Sequence, residues 1–220
     1  MRNLKRNTHH SRQLESGFTL LELAAVMAIS LIVSAFSMIS MMPVMKQYRI
    51  TNAYNTTLSA LRQARDNAIS QRTSYSVTFS KTASANTITI APTFSGFQGA
   101  QSPVTYQLPT DVSFDVESAF ASTPPPDGYG SGLVAIDFGY TANGGRGGAS
   151  TIYFCPDGSA QDAEGGAGSC AGSWDGGVLY IAHTGDLLSS RAITLWGGTG
   201  RIRGWRLYSN NAGGYQWLRQ

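Results

Sequence analysis

The sequence predicts an α+β fold: a long N-terminal helix, membrane-spanning in its first half, packed on an antiparallel β-sheet head of two small sheets. Three observations lead to this prediction. Residues 16–42 are almost entirely apolar, an amphipathic helical pattern follows to residue 72, and short alternating segments separated by glycine, proline and serine occupy the rest. A helix followed by many short antiparallel strands is typical of α+β domains.

The apolar stretch is long enough to cross a membrane. It runs from Ser16 to Met42 and carries one charged residue, Glu22. A bilayer core about 30 Å thick needs roughly 20 apolar residues in a helix. The segment before it, residues 1–17, holds four basic residues against the single acid Glu15, and basic flanks stay on the cytoplasmic side. We therefore expect a single-pass protein of the inner (plasma) membrane, with its head in the periplasm or outside the cell.

The junction between the basic leader and the apolar stretch indicates cleavage after Gly17. A carboxylate inside a bilayer is costly and normally has a partner. Cleavage would give Phe18 a free α-amine one helical turn from Glu22, and the carboxylate would also suit the positive end of the helix dipole. A plain single-pass anchor with a stray glutamate is the alternative.

The segment GFTLLEL, from Gly17 to Leu23, resembles the class III signal of type IV pilins and of the pseudopilins of type II secretion. The resemblance implies a pilin-like fold, cleavage after Gly17 by a prepilin peptidase, and methylation of the new N-terminal Phe18. It also implies that Glu22 is needed for assembly with other pilins or pseudopilins. The predicted regions are a removed leader at 1–17, a transmembrane and assembly helix at 18–42, an amphipathic continuation at 43–72 and an exported head at 73–220.

The helix continues beyond Pro43, where a kink or loosening is expected because proline removes a helical hydrogen bond. Apolar residues then recur at three- and four-residue spacing along one face, namely Ile50, Tyr54, Leu58, Leu61, Ala64 and Ala68. From Tyr75 the period changes to two residues, which predicts a hairpin as far as Ile90. Further strands are predicted at residues 104–108, 112–116, 133–138, 151–155, 178–182, 192–196 and 202–208.

Three later segments are similar to the FimT and GspH group of minor pilins and pseudopilins. They are LSALRQARDNAISQRTSYSVTF from Leu58, TIYFCPDGSA from Thr151, and RAITLWGGTGRIR from Arg191. The similarity implies a head of that type, closed by a strand that ends in Gly-Arg-x-Arg. The prolines at 124–126 and the extension beyond Arg206 match no part of the pattern, so the loops there stay unassigned.

The two cysteines, Cys155 and Cys170, are expected to form a disulfide, because oxidation is the default outside the cytoplasm. A loop of that size contributes about 3 kcal/mol on the chain-entropy model. A zinc site is disfavoured, since neither histidine nor further cysteine has metal-ligand spacing to them. Calcium on the loop acids Asp157, Asp162 and Glu164 is a weaker alternative to solvated charges, because their spacing fails the EF-hand pattern.

Charge is distributed unevenly along the chain. The formal net charge of +3 comes from the leader, but residues 111–186 hold ten acids and the single base Arg146, whereas residues 187–220 hold five arginines and no acid. Arg201 and Arg203 are expected on the same side of a strand, with Arg206 following. Aromatic residues are interleaved with them, namely Trp196, Trp205, Tyr208 and Trp217.

This basic tail supports two interpretations. Arginines neutralise phosphates and exposed aromatic rings stack on bases, and in the FimT-like branch a Gly-Arg-x-Arg tail is associated with DNA uptake. The resemblance therefore implies DNA contacts on Arg201 and Arg203. The alternative is that the tryptophans belong to a core and that the arginines pair with the acid-rich stretch of a neighbouring subunit.

Neither an enzyme nor a cofactor-binding protein is expected. The predicted head contains one histidine, His183, followed by Asp186 in a segment typical of a turn. The glycine-rich segment Gly197–Gly200 lacks the lysine and the following helix of a phosphate-binding loop. The most favoured function is a filament subunit of a type II secretion pseudopilus or a type IV pilus. A DNA-binding pilus protein and a membrane-anchored enzyme are the alternatives.

Overall fold

The computed structural model describes residues 17–82, 85–93, 102–117, 123, 126–130, 132–141, 147–162, 170, 175–210 and 212–220. In these ranges the chain forms one α-helix, α1 (Leu20–Gln71), and eleven strands. The strands are β1 (Tyr75–Lys81), β2 (Asn86–Pro92), β3 (Val104–Gln107), β4 (Val112–Ser113), β5 (Ile136–Thr141), β6 (Thr151–Phe154), β7 (Ala160–Gln161), β8 (Asp175–His183), β9 (Asp186–Trp196), β10 (Arg201–Ser209) and β11 (Tyr215–Arg219).

The chain divides into two compact units, and the boundary between Val44 and Met45 falls inside α1. In the first unit, Met1–Val44, every described residue is exposed. With this apolar part, α1 has the length and composition of a helix that can cross a membrane. The helical assignment continues through Pro43 without a break.

In the second unit, Met45–Gln220, one face of α1 is buried. The buried residues are Ile50, Ala53, Tyr54, Thr57, Ala60, Leu61, Ala64 and Ala68. This is the face that the sequence pattern predicts, with Leu58 half-buried at its edge and three small residues added to it. The three added residues, Ala53, Thr57 and Ala60, have small side chains, which let neighbouring strands approach the helix closely.

The strands form two antiparallel sheets. The first has the order β3-β2-β1-β6-β7, and the second has the order β11-β10-β9-β8-β4 with β5 also paired to β8. Residues from both sheets and from α1 belong to one core, in which Phe79 stacks on Phe138 at 5.5 Å between ring centroids. The predicted α+β architecture, with α1 packed on two antiparallel sheets, is confirmed.

The second sheet is apolar on both faces. Successive residues of a strand point to opposite faces, so Leu179 and Ile181 of β8 join the core under α1, whereas Val178 and Tyr180 form a second cluster with Ala192. Half-buried residues cover this second cluster, among them Tyr129, Trp205 and Trp217. The tryptophans 205 and 217 therefore pack against apolar side chains.

Two strands of the structure, β7 and β11, were not predicted from the sequence. β7 has only two residues, and β11 lies in the extension that matched no pattern. β11 follows a tight turn in which the Asn210 side-chain oxygen accepts hydrogen bonds from the backbone amides of Ala212 at 3.1 Å and Gly214 at 2.7 Å. Asparagine and glycine are the residues that such turns require, so the Ser-Asn-Asn-Ala-Gly-Gly segment carried a local signal for this hairpin.

Gly204 marks the closest approach of β10 to α1. A Cβ atom at this position would overlap the hydroxyl of Tyr54 and lie 2.6 Å from its Cζ. Only glycine leaves room for the ring at this point. Burial raises the pKa of the Tyr54 hydroxyl.

Candidate functional site

The predicted assembly residues lie at the start of α1. Phe18 is 83% exposed, and Glu22 is exposed in the first helical turn. The Thr19 hydroxyl accepts a hydrogen bond from the Glu22 backbone amide at 3.2 Å, so Thr19 caps the helix. The Thr-x-x-Glu spacing is that of a capping box, a signal that the sequence interpretation overlooked. Glu22 thus lies in the first turn of α1, at the positive end of the helix dipole.

Cys155 and Cys170 are joined by a disulfide, with their Cα atoms 5.8 Å apart. Cys155 is 2% exposed and opens a tight turn, in which the Gly158 amide donates to the Cys155 carbonyl at 2.8 Å. Gly158 has a φ of 82°, which glycine adopts readily. The bridge therefore fixes the end of β6 to residue 170 across the glycine-rich segment.

The loop acids that might hold calcium have different environments. Asp157 Oδ1 accepts hydrogen bonds from the hydroxyl of Ser159 at 2.6 Å and from its backbone amide at 2.9 Å, and these bonds lower the pKa of Asp157. Asp162 is 8% exposed, and Glu164 lies outside the described residues. No cluster of three or more histidine, cysteine or acidic residues suited to a metal occurs within the described ranges.

Arg201 and Arg203 lie on the same side of β10, as expected, but they have different contacts. Nη1 of Arg203 lies 2.6 Å from Oδ1 of Asp127, and the two side chains are 21% and 8% exposed. The other carboxylate oxygen of Asp127 accepts hydrogen bonds from Thr194 Oγ1 at 2.7 Å and Trp196 Nε1 at 3.3 Å. Asp127 therefore ties the turn at Pro126–Gly128 to both β9 and β10.

The guanidinium of Arg203 also lies over the Trp196 ring, 5.7 Å from its centroid. Tyr129 meets the same ring edge-on at 5.4 Å. Trp196 is 40% exposed and keeps one surface open, but the arginine beside it is already neutralised by Asp127. The acid-rich stretch thus supplies a partner for the basic tail within the same chain, rather than only in a neighbouring subunit.

Arg206 lies on the opposite face of β10 from Arg203. It stands directly across from Arg191 of β9 in the strand register, and its guanidinium lies 5.0 Å from the Tyr208 ring centroid. Arg191 is 1% exposed and donates from Nη1 to the carbonyls of Ser189 at 2.9 Å and Ser190 at 3.3 Å. Burial, followed by the charge of Arg206, lowers the pKa of Arg191 to about 10. The three tail arginines do not form one continuous surface.

Arg201 instead joins two arginines of α1. A cavity of about 370 Å³ is lined by Arg62, Arg65 and Arg201 together with Asp66 and the turn residues Thr199 and Gly200. We call this the arginine cavity. The sequence pattern placed Arg62 and Arg65 off the packing face of the helix, but it could not show that the β9–β10 turn brings Arg201 beside them.

His183 and Asp186 flank the β8–β9 turn, where Gly185 has a φ of 80°. His183 Nε2 lies 3.6 Å from Oδ2 of Asp111, and this same oxygen lies 3.0 Å from Nη1 of Arg49. The His183 side chain is therefore directed to Asp111. This geometry fits the turn that the sequence predicts there.

Comparison with known proteins identifies the N-terminal region. A family model described as the prokaryotic N-terminal methylation motif matches residues 12–42, which include Gly17, Phe18 and Glu22. No curated protein and no solved structure matches the chain. The motif supports a type IV pilin-like protein, and it implies processing by a prepilin peptidase and assembly with other pilins. The resemblance to the FimT and GspH group remains a prediction.

Proposed function

We propose that this chain is a non-enzymatic minor pilin or pseudopilin that is cleaved after Gly17 and then joins, and helps to initiate or cap, a filament. The observation that carries the proposal is the methylation motif at residues 12–42, placed over the start of a long exposed apolar helix. The filament is a type II secretion pseudopilus or a type IV pilus, since both are built from subunits with this signal.

The exposed part of α1 gives the proposal its physical basis. Large apolar side chains with exposures such as 87% for Leu20 and 72% for Leu31 need a covering other than water. Lipid provides it for an isolated subunit, and the helices of neighbouring subunits provide it in a filament. Glu22 then needs a positive partner in an apolar medium, which the methylated amine of Phe18 in an adjoining subunit would supply.

The contacts of the tail favour a filament subunit over a DNA-binding protein. Arg203 is paired with Asp127, and Arg206 lies on the other face of β10 beside Arg191. A phosphate backbone at Arg201 would therefore find Arg203 already paired with Asp127 and Arg206 on the opposite face of β10. DNA binding remains a prediction from the family resemblance, with no contact of the described residues in its favour.

The test separates processing from assembly with Glu22→Ala. Removing the charge makes the helix more apolar, so we expect cleavage and membrane insertion to continue while incorporation into filaments falls. Intact mass of the membrane-extracted protein should correspond to residues 18–220 plus one methyl group for both wild type and variant. Sheared filaments should contain the wild type and much less of the variant.

Ser34→Ala is the matched control, because it changes a polar side chain of the same helix whose hydroxyl donates to the Ser30 carbonyl at 2.7 Å, its one hydrogen bond among the described residues. It should be processed and incorporated like the wild type. Recovery of uncleaved wild type from cells with an active prepilin peptidase would refute the processing step. Equal incorporation of Glu22→Ala and wild type would refute the assembly step.

A further inference from the structure

One end of the second sheet carries a positively charged cavity. The arginine cavity lies where α1 meets the β9–β10 turn, and three arginines and one acid, Asp66, are among the residues that line it. A cavity of about 370 Å³ is in the range of small-ligand sites, which start at about 300 Å³. Its net positive charge selects for an acidic group.

The three arginines of this cavity have different contacts. One of them donates hydrogen bonds to the turns that line the cavity, and the other two do not. Arg65 donates from Nε to the Gly158 carbonyl at 3.1 Å and from Nη2 to the Thr199 carbonyl at 3.2 Å. These bonds fix both turns to α1. In the part of the chain that the structure describes, Arg62 and Arg201 have neither a hydrogen bond nor an ion pair. Their guanidinium groups are therefore available to a ligand.

The opposite end of the same sheet is acidic. Three carboxylates gather around the β8–β9 turn and form what we call the acidic end, namely Asp111, Glu117 and Asp186. The sheet register brings them together, because Val112 pairs with His183 and the Gly185 amide donates to Glu117 Oε1 at 2.9 Å.

Two arginines of the described chain act on these three acids. Asp111 pairs with Arg49 at 3.0 Å and lies 3.6 Å from His183, and the pKa of Arg191, which burial lowers, is raised in part by the charge of Asp186. Glu117 accepts from a backbone amide, and Asp186 is exposed, with neither a hydrogen bond nor an ion pair of its carboxylate among the residues described. The acidic end therefore keeps a net negative charge, opposite in sign to that of the residues that line the arginine cavity.

The two ends are well separated on one rigid sheet. β9 starts at Asp186 beside the acidic end and finishes at Trp196 beside the turn that lines the arginine cavity. At about 3.3 Å per residue this strand is roughly 33 Å long. Along α1 the thirteen-residue step from Arg49 to Arg62 gives about 20 Å. The two charges therefore cannot neutralise each other within one subunit.

We propose that the arginine cavity of one head receives the acidic end of a second copy of this chain, with Asp186 as the carboxylate that enters it. Two different patches on opposite ends of a subunit make a heterologous contact, through which two copies join where the filament starts. The proposal rests on the proposed function as a filament subunit and assigns a contact between its heads.

A second copy is favoured because the chain carries both halves of the contact. Guanidinium groups bind carboxylates in paired hydrogen bonds, and Asp186 sits on an exposed turn that can reach into a cavity. Nucleic acid would also place an anion there, but the neighbouring surface offers it Arg203 only in its pair with Asp127. The Asp186 carboxylate, in contrast, has no ion pair among the described residues.

The test is charge reversal and its repair, in the full chain and in cells that make filaments. Arg201→Asp and Asp186→Arg should each lower incorporation into sheared filaments about fivefold, because like charges then face each other in the contact. The variant with both changes should return towards the wild-type level, since neighbouring copies again present opposite charges. Arg219→Asp, an equal charge change on the exposed strand β11, is the control and should incorporate like the wild type.

A second measurement detects the contact directly. Arg201→Lys puts an amine at the mouth of the cavity, and a zero-length carbodiimide reagent should then join it to Asp186 of the next copy in assembled filaments. The cross-linked dimer should disappear when Asp186→Asn is added. Thermal melting of the detergent-extracted proteins should show that the reversals leave the head folded, because both side chains are exposed and unpaired within the described chain.

The outcomes distinguish this proposal from the filament function itself. The contact is refuted, and the filament function stands, if the wild type is present in filaments and the single charge-reversal variants are incorporated equally well. The same conclusion follows if the double variant is not restored. Wild type missing from filaments would overturn both. A different outcome is that the full chain shifts duplex DNA in a salt-sensitive way. If the double variant Arg62→Gln/Arg201→Gln loses that shift while its incorporation into filaments is unchanged, the cavity is assigned to nucleic acid and the proposal is refuted.

Discussion

The pair between Arg203 and Asp127 allows a prediction that distinguishes a structural arginine from an open one. Arg203→Gln leaves the Asp127 carboxylate, 8% exposed, without its counter-ion, although Thr194 and Trp196 still donate to Oδ2. Breaking a buried pair by removing one partner costs about 3–5 kcal/mol. The value here belongs at the low end, about 3 kcal/mol, because the Arg203 side chain is 21% exposed and two donors to the carboxylate remain.

For a unit the size of Met45–Gln220, a loss of about 3 kcal/mol lowers the melting temperature by about 6–12 °C. Thermal unfolding of the full chain in detergent, followed by near-ultraviolet circular dichroism, measures this shift. The matched control is Arg201→Gln, which makes the same chemical change two residues away on the same face of β10. Arg201 is exposed and has no ion pair within the described residues, so the control should change the stability by less than about 0.5 kcal/mol.

A second variant tests the mechanism of that loss. Asp127 has a φ of 55°, and asparagine tolerates this left-handed conformation, so Asp127→Asn removes the charge with little backbone strain. Combined with Arg203→Gln, it should recover about 1–2 kcal/mol, because no uncompensated charge is then buried. The reasoning is refuted if the melting temperatures of Arg203→Gln and Arg201→Gln lie within about 1 °C of each other. Such a difference corresponds to only a few tenths of a kcal/mol.

Two further predictions concern the packing of the head. Gly204→Ala should lower the free energy of unfolding by about 1–3 kcal/mol, because its Cβ overlaps the Tyr54 hydroxyl, and Tyr54→Phe in the same chain should recover part of this loss in thermal melts. Cys155→Ser should cost about 3 kcal/mol by opening the loop to Cys170, and reductant should lower the melting temperature of the wild type but not of this variant. No recovery of Gly204→Ala by Tyr54→Phe, or a reductant effect on Cys155→Ser, would contradict the respective assignment.

The sequence predicts the parts of this fold that depend on periodicity. The helix end at Gln71, its buried face and the hairpin of β1 and β2 follow from spacings of three, four and two residues. The two strands that it missed are the two-residue β7 and the terminal β11. A bridge of two residues has no period to detect, and β11 could be found only from the turn chemistry before it.

The candidate site was predictable only in part, because charge partners come from distant segments. Arg201 and Arg203 were expected on one face of a strand, which the structure shows. Their contacts differ because Arg203 pairs with Asp127, which precedes it by 76 residues, whereas Arg201 lines a cavity with Arg62 of α1. Sequence spacing within a strand determines the face of a side chain, but only the fold determines which group lies opposite it.

The position of β10 therefore limits how the basic tail can be tested. Along this strand Arg201 opens into the arginine cavity, Arg203 holds Asp127, Gly204 admits the Tyr54 ring and Arg206 faces Arg191. A variant that replaces all three tail arginines would break a buried pair, so a loss of filament or DNA association would follow from instability alone. Among the described residues Arg201 has no ion pair, so its replacement changes surface charge without breaking a pair inside the chain. Any effect of replacing Arg201 must be compared with the stability loss that Arg203→Gln causes.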